Sequence, residues 1–220
     1  MAGGTARAER VQATREAILA AAERLFAEHG VFAVSNRQIS EAAGQGNNAA
    51  VNYHFGTKTD LVRAIVRRHT EDIERIRVRM VTEATGSTDL RDWIACFVRP
   101  NAEHLATLDS PSWFARFAAQ VMTDPELRDI MTAESLTSPS LSRAVEETKR
   151  CLPELPAEVR AERDEMIRQL MVHMTAERER ALADGLPTAR ATWHEAATGM
   201  IDAIVGLLQA PVTSAHGDSR

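Results

Sequence analysis

Between residues 47 and 58 the chain gathers groups that form directional hydrogen bonds while carrying little charge. These are the amides of Asn47, Asn48 and Asn52, the Tyr53 phenol, the His54 imidazole and the Lys58 ammonium. An asparagine amide sets a donor beside an acceptor, the pair that matches N6 and N7 of adenine, and good geometry there discriminates by about 1–3 kcal/mol. Ala49 and Ala50 are small enough to let a helix lie deep in a major groove, where a methyl can meet thymine. A face serving only solubility would carry Lys and Glu instead. Ser35 and Arg37, a little upstream, together with Tyr53, His54 and Lys58, are types that reach phosphate oxygens. The candidate contact set is therefore Ser35, Arg37, Asn47, Asn48, Ala49, Asn52, Tyr53, His54 and Lys58, and its chemistry is recognition of double-stranded DNA.

Local signals predict the elements that must position these groups. Ser35 and Gln38 form a capping box for a short helix whose inward positions are Ile39, Ala42 and Ala43, and Gly44 is placed to end it. Asn47 is an N-cap for a second short helix with Val51 and Phe55 on one face, and Gly56 stops it. Thr57 and Asp60 repeat the capping box for a long helix starting near Lys58. Upstream, Ile18, Ala22, Leu25 and Phe26 recur at helical spacing from Thr14 to Gly30. The result is a three-helix helix-turn-helix unit with Ile18, Leu25, Phe26, Val34, Ile39, Ala42, Val51 and Phe55 as its small core. Residues 1–12 are small and polar and read as a disordered arm, from which Arg7 and Arg10 can reach an adjacent minor groove.

Charge agrees with this placement. The net charge of −5 excludes a protein that coats nucleic acid with a basic surface. Of the 26 Lys/Arg and 31 Asp/Glu, residues 1–68 hold nine and six, so residues 69–220 hold 17 and 25, and the basic end is the end with the helix-turn-helix. Cys96 and Cys151 lack metal-ligand spacing, and no signal segment or apolar run of about 18 residues is present. A reduced, cytoplasmic protein without membrane contact is expected. Catalytic, cofactor and metal motifs are not found. His194-Glu195-Ala196-Ala197-Thr198 fails the zinc-helix pattern at its last position, and His173 with Glu177 reads as a surface pair. The runs Glu162-Arg163-Asp164-Glu165 and Glu177-Arg178-Glu179-Arg180 read as solvated helix faces.

The remainder predicts an all-α body. The helix from Lys58 carries Leu61, Ile65, His69, Ile73, Ile76 and Met80 along one side, with His69 expected as a buried, hydrogen-bonded histidine. Pro100 is expected to kink or break the next helix, and Ser110-Pro111, Asp124-Pro125 and Ser138-Pro139 open three more. The stretch 152–156 is a rigid linker before two long amphipathic helices near 157–183 and 189–209. A single unit grips too few phosphates, so these two helices are expected to form a homodimer as a four-helix bundle across a two-fold axis. The predicted organisation is an arm (1–12), a DNA-binding domain (13–58), a helical dimerisation domain (59–210), to which the family resemblance given next adds ligand binding, and a flexible tail (211–220).

Residues 14–61 resemble the TetR family of bacterial transcriptional regulators, through LFAEHGVFAVS, RQISEAAG and YHFGTKTDL, with His54, Phe55 and Lys58 matching the family pattern. Two positions depart from it: Asn52 stands where the family commonly has Tyr, and the turn Gly44-Gln45-Gly46 is one residue longer. The resemblance implies a repressor released from a pseudo-palindromic operator by a small apolar or amphipathic effector. Trp93, Phe97, Trp113, Phe114, Phe117, Met122 and Met171 are candidates for an apolar cavity, with Asn101, His104 and His173 as orienting polar groups. A helix-turn-helix protein governed by a protein partner, or acting as an activator, is the alternative, and an all-helical enzyme comes last.

Overall fold

A computed structural model describes residues 2–47 and 49–212. Among them lie ten helices and no strand: α1 (Ala2–His29), α2 (Asn36–Ala42), α3 (Ala50–Phe55), α4 (Lys58–Glu83), α5 (Leu90–Thr107), α6 (Phe114–Thr123), α7 (Pro125–Leu136), α8 (Pro139–Arg150), α9 (Ala157–Ala183) and α10 (Trp193–Gln209). The predicted flexible tail lies outside the described residues from 213 onward.

Local chemistry sets most of the boundaries. Both predicted capping boxes are made, Ser35 with Gln38 on α2 and Thr57 with Asp60 on α4. A third, Thr192 with Glu195, starts α10 at Trp193, later than the sequence pattern suggests. Ser138 caps α8, and the Asp124 carboxylate accepts the Glu126 and Leu127 amides at the start of α7. Gly44 (φ +67°) and Gly56 (φ +78°) end α2 and α3 in the left-handed region that glycine enters at least cost.

The first three turns of α1 correct the expected disordered arm. Residues 5–12 are exposed but helical, a conformation that Ala6, Arg7, Ala8, Glu9 and Arg10 favour individually and that the stable helix beyond them nucleates. Pro100 does not break α5 either. Its neighbours Val98, Ala102 and Leu105 are buried, so packing outweighs the lost backbone bond. In α2 the inward positions are Ile39 and Ser40, with Ala43 half-buried, while Ala42 faces solvent.

One hydrophobic cluster spans both halves of the chain. Ile18, Phe26, Val34, Ile39, Val51 and Phe55 are buried as expected for a three-helix core, but they continue without a gap into Leu61 and Ile65 of α4, Leu105 of α5 and Phe114, Phe117 and Val121 of α6. Phe26 and Phe117 stack with centroids 6.3 Å apart. A second cluster packs Leu90, Ile94, Val98 and Ala102 of α5 against Ala197, Ile201, Ile204 and Leu208 of α10. The head is therefore fastened to the body through α1 and α6 as well as through α4.

Candidate nucleic-acid interface and effector cavity

The end of α3 and the start of α1 form the outer surface of the head. Tyr53 is 81% exposed and meets His54 edge-on, and both border a shallow groove whose other side is Arg7, Arg10 and Thr14 of α1. The helical extension thus brings two arginines beside two of the predicted phosphate contacts. Arg15, which sequence patterning did not single out, positions this corner. Its Nη1 donates to the His54 carbonyl at 2.5 Å, and its guanidinium lies 4.4 Å over the Phe55 ring.

Several predicted contact residues already carry structural bonds. The Ser35 hydroxyl accepts the Gln38 amide and donates to the Gln38 side chain, so capping occupies it. Arg37 is exposed and paired with Glu41 at 2.8 Å, a contact that raises its pKa further. Asn47 Oδ1 accepts the Ala49 amide, and α3 begins only at Ala50, leaving a six-residue helix after the longer turn. Ala49 is exposed at that start. Asn52 is exposed and accepts from Asn36 Nδ2 at 2.6 Å, which leaves its amide donors and one lone pair free for a base edge. Lys58 Nζ donates to the carbonyls of Val34 (2.5 Å) and Val31 (3.2 Å), tying α4 to the loop before α2. Partial burial lowers its pKa. Two of its three N–H groups are committed, and the third is available to phosphate. Asn48 lies outside the described residues.

The body encloses two adjoining cavities. The larger, about 900 Å³, opens between α4, α5, α7, α8, α9 and α10; the smaller, about 450 Å³, lies between α5, α6, α9 and α10. Asn101, Phe114, Met131 and Met171 belong to the walls of both, and Phe97 to the larger. Phe97, Asn101, Phe114 and Met171 of the predicted set are thereby brought together. The others are elsewhere. Trp93 is buried with Val81, Cys96 and Ala144 and donates to the Ser87 carbonyl; Phe117 belongs to the head–body core; Met122 is buried on α6 outside both walls; Trp113 lies under the Arg116 guanidinium; His173 is exposed.

His104 also lies off the cavity wall, in a buried relay that crosses the junction of head and body. Glu23 Oε2 of α1 lies 2.9 Å from His69 Nε2 of α4, and His69 Nδ1 lies 2.7 Å from His104 Nε2 of α5. A carboxylate only accepts, so His69 donates through Nε2 and accepts from His104 through Nδ1. Phe114, on the wall of both cavities, stacks on His69 at 3.8 Å and meets His104 edge-on. Burial, with a further push from His69, lowers the His104 pKa to about 4.

Two charged runs that resemble solvated faces are corrected by the structure. Glu179 is 1% exposed and accepts the Ala115 and Arg116 amides, the Ser112 hydroxyl and Arg116 Nε, so a carboxylate from α9 caps α6. Arg163 is buried and donates to the Leu208 and Ala210 carbonyls, capping the end of α10 from α9. Apart from these contacts α9 buries little: Met166, Met174 and Leu182 are exposed. No helix among the described residues is long and apolar enough to cross a membrane.

A helix-turn-helix head sharing its core with an all-helical body that holds a cavity is the build of a DNA-binding regulator. Comparison with known proteins makes this specific. Residues 18–65 match the family model for bacterial regulatory proteins of the tetR family, and residues 95–206 match the tetracyclin repressor-like C-terminal domain. The chain belongs to the TetR family of transcriptional regulators, a family of regulators and not of enzymes. It is similar to the HTH-type transcriptional repressor AcnR of Corynebacterium efficiens, 31% identical over 115 residues that cover 52% of this chain and 54% of that protein. The same repressor of Corynebacterium glutamicum is 30% identical over the same shares. The chain thus spans about half the length of the curated relatives it matches. Among solved structures, the TetR family transcriptional regulator PfmR from Thermus thermophilus shares the fold, with a TM-score of 0.50 and 17% identity over 89% of this chain and 96% of that one.

Proposed function

We propose that this protein is a repressor that binds a pseudo-palindromic operator as a homodimer and is released by a small apolar or amphipathic effector held in the body. The observation that carries this reading is the position of Phe114. It stands in the wall of both cavities and stacks on His69, which bonds Glu23 of the helix that supports the head. A molecule entering either cavity meets a ring with no slack against the junction.

The division of labour falls near Lys58, with 13–58 reading DNA and 59–210 binding effector and partner. Asn47, Asn48 and Asn52 face base edges, Ala49 allows close approach, and Ser35, Arg37, Tyr53, His54 and Lys58 line phosphates, joined by Arg7 and Arg10 from the extended α1. The unpartnered apolar positions of α9 support pairing through α9 and α10 across a two-fold axis. Two heads then sit roughly 34–36 Å apart, or a multiple of that, on successive major-groove faces. Such a regulator acts in the cytoplasm with Cys96 and Cys151 reduced.

Footprinting on the DNA that flanks the gene, with and without a lipophilic compound library, tests the reading. A protected palindrome that is lost on adding one compound is the expected result. Purified protein with no salt-dependent preference for any palindromic DNA would overturn it.

A further inference from the structure

Asn36 stands at the first helical position of α2, next to the Ser35 cap, and its side chain does nothing for that helix. Gln38 completes the capping box. The one hydrogen bond that the Asn36 amide makes among the described residues crosses to α3, from Nδ2 to Asn52 Oδ1 at 2.6 Å. Its own Oδ1 is buried with no partner. An unpaired buried acceptor costs stability and asparagine is a middling helix former, so neither the helix nor the core accounts for this residue. Positions that break local rules at a cost are expected where function sets the choice.

Helix α3 needs outside support. It has six residues, and Ala49 at its start offers no side-chain cap. Among the described residues, Asn36–Asn52 is the one side-chain hydrogen bond between α2 and α3, while Arg15 holds the far end of α3 through the His54 carbonyl. Asn52 is exposed, and its Nδ2 makes no hydrogen bond with a described residue. The bond to Asn36 therefore settles which end of the Asn52 amide is offered outward: Oδ1 is drawn toward α2, and the two N–H donors stay free. Among major-groove edges, guanine sets two acceptors, N7 and O6, side by side. Adenine needs a donor and an acceptor together, and here the acceptor is shared with Asn36. Cytosine offers only a donor.

We propose that Asn36 is a positioning residue for DNA reading: it fixes the Asn52 amide with Nδ2 toward the groove, so that Asn52 addresses guanine. This rests on the reading above in which Asn52 faces base edges.

The test selects sites from a pool of DNA duplexes with a randomised core, using the full chain as wild type, Asn52→Ala, Asn36→Ala and Asn36→Asp. Each protein is then measured on the selected site, on that site with single bases changed, and on a scrambled duplex by fluorescence anisotropy. Asn52→Ala marks the base that Asn52 reads, as the position whose preference disappears, and in the wild type that base should be guanine. Asn36→Ala removes the unpaired acceptor together with the bond, so its melting temperature should be no lower. Its preference for the marked guanine should fall about fivefold, the factor for ordering one side chain, with binding to the scrambled duplex unchanged. The carboxylate of Asn36→Asp can only accept, so the Asn52 amide must turn over and offer Oδ1, and the preferred base should move from guanine to cytosine or adenine. Preferences are ratios within one protein, so the added charge cancels. A marked base other than guanine in the wild type, a full guanine preference in Asn36→Ala, equal weakening on all duplexes, or guanine retained in Asn36→Asp would each overturn the inference while leaving Asn52 as a base contact. If Asn52→Ala leaves the preference intact at every position, the base-contact reading fails and this inference fails with it.

Discussion

Lowering the pH from 8 to 5 should weaken the fold through His104, by an amount that follows from its surroundings. The ring is buried against Phe114 and His69, with Asp72 3.9 Å from Nδ1, and Glu23 and Arg68 also act on it. Its pKa falls from 6.5 to about 4, first because burial disfavours the imidazolium and then because His69 does. The folded-state value lies below the unfolded one, so between these two pH values the unfolded chain holds a proton that the folded chain lacks. Stability from this group is fully present above pH 6.5 and is lost as the pH falls toward 4. The loss is about 2 kcal/mol at pH 5 and approaches 3 kcal/mol at pH 4. Urea unfolding followed by far-ultraviolet circular dichroism at half-unit steps measures it. His104→Gln, which can still donate a hydrogen bond to His69 but cannot titrate, supplies the reference, since groups away from the relay are common to the two proteins. The wild type should lose about 2 kcal/mol more than the variant between pH 8 and 5. Parallel profiles would refute the view that His104 is held neutral at the junction.

Other consequences are testable in the same way. Glu179→Gln places an amide NH2 against the four donors that converge on this carboxylate, and should cost about 3 kcal/mol in urea unfolding, since the Arg116 charge loses its buried partner. A cost under about 0.5 kcal/mol, the scale of an ordinary surface change, would mean that the α6 cap does not hold α6 to α9. Arg15→Gln removes the bond to the His54 carbonyl and the contact over Phe55; fluorescence anisotropy should show operator affinity falling about tenfold while global stability changes by about 1 kcal/mol. Unchanged affinity would show that the end of α3 is held without it. On the proposed pairing through α9 and α10, Met174→Glu, on the exposed apolar face of α9, should shift a dimer to monomer in light scattering coupled to size exclusion, whereas a dimer that persists in the variant would place the interface elsewhere.

The reading head is legible in the sequence because its signals are local. Capping boxes span four residues, and the left-handed glycines at 44 and 56 mark helix ends without reference to the rest of the chain. What lies across the fold is not legible in that way. Trp93, Phe97, Phe114 and Phe117 all occupy apolar helix positions, yet Phe97 and Phe114 stand in a cavity wall while Trp93 and Phe117 fill cores. Periodicity reports which face points inward, not whether space remains there. Glu179 and Arg163 sit in charge-alternating runs that resemble solvated faces. Their burial is decided by partners about 60 and 45 residues away, an open helix start at α6 and an open helix end at α10. The first turns of α1 were hidden for a different reason: small polar residues suit both a loose arm and an exposed helix, and only attachment to a stable helix selects the second.

The double attachment of the head bears on how an effector could act. If α4 alone joined head to body, the head could swing about Lys58 at little cost and cavity occupancy would have little hold on it. Instead Phe26 is packed on Phe117, and Glu23 is bonded to His69, so α1 follows α6 and α4 together. Helix α6 is held at its start by Glu179 of α9 and carries Phe114 into both cavity walls. On the proposed reading, an effector that displaces the Phe114 ring must disturb its stack on His69 or move α6, and either change reaches α1. Lowering operator affinity a hundredfold requires the effector to prefer the non-binding form by about 2.8 kcal/mol. For an amphipathic effector, one charge-assisted hydrogen bond is worth about 1.5–3 kcal/mol, so a head group satisfied in only one of the two forms supplies that difference by itself. The apolar body of the ligand can then bind both forms equally, contributing affinity while the polar contact sets the direction of the switch.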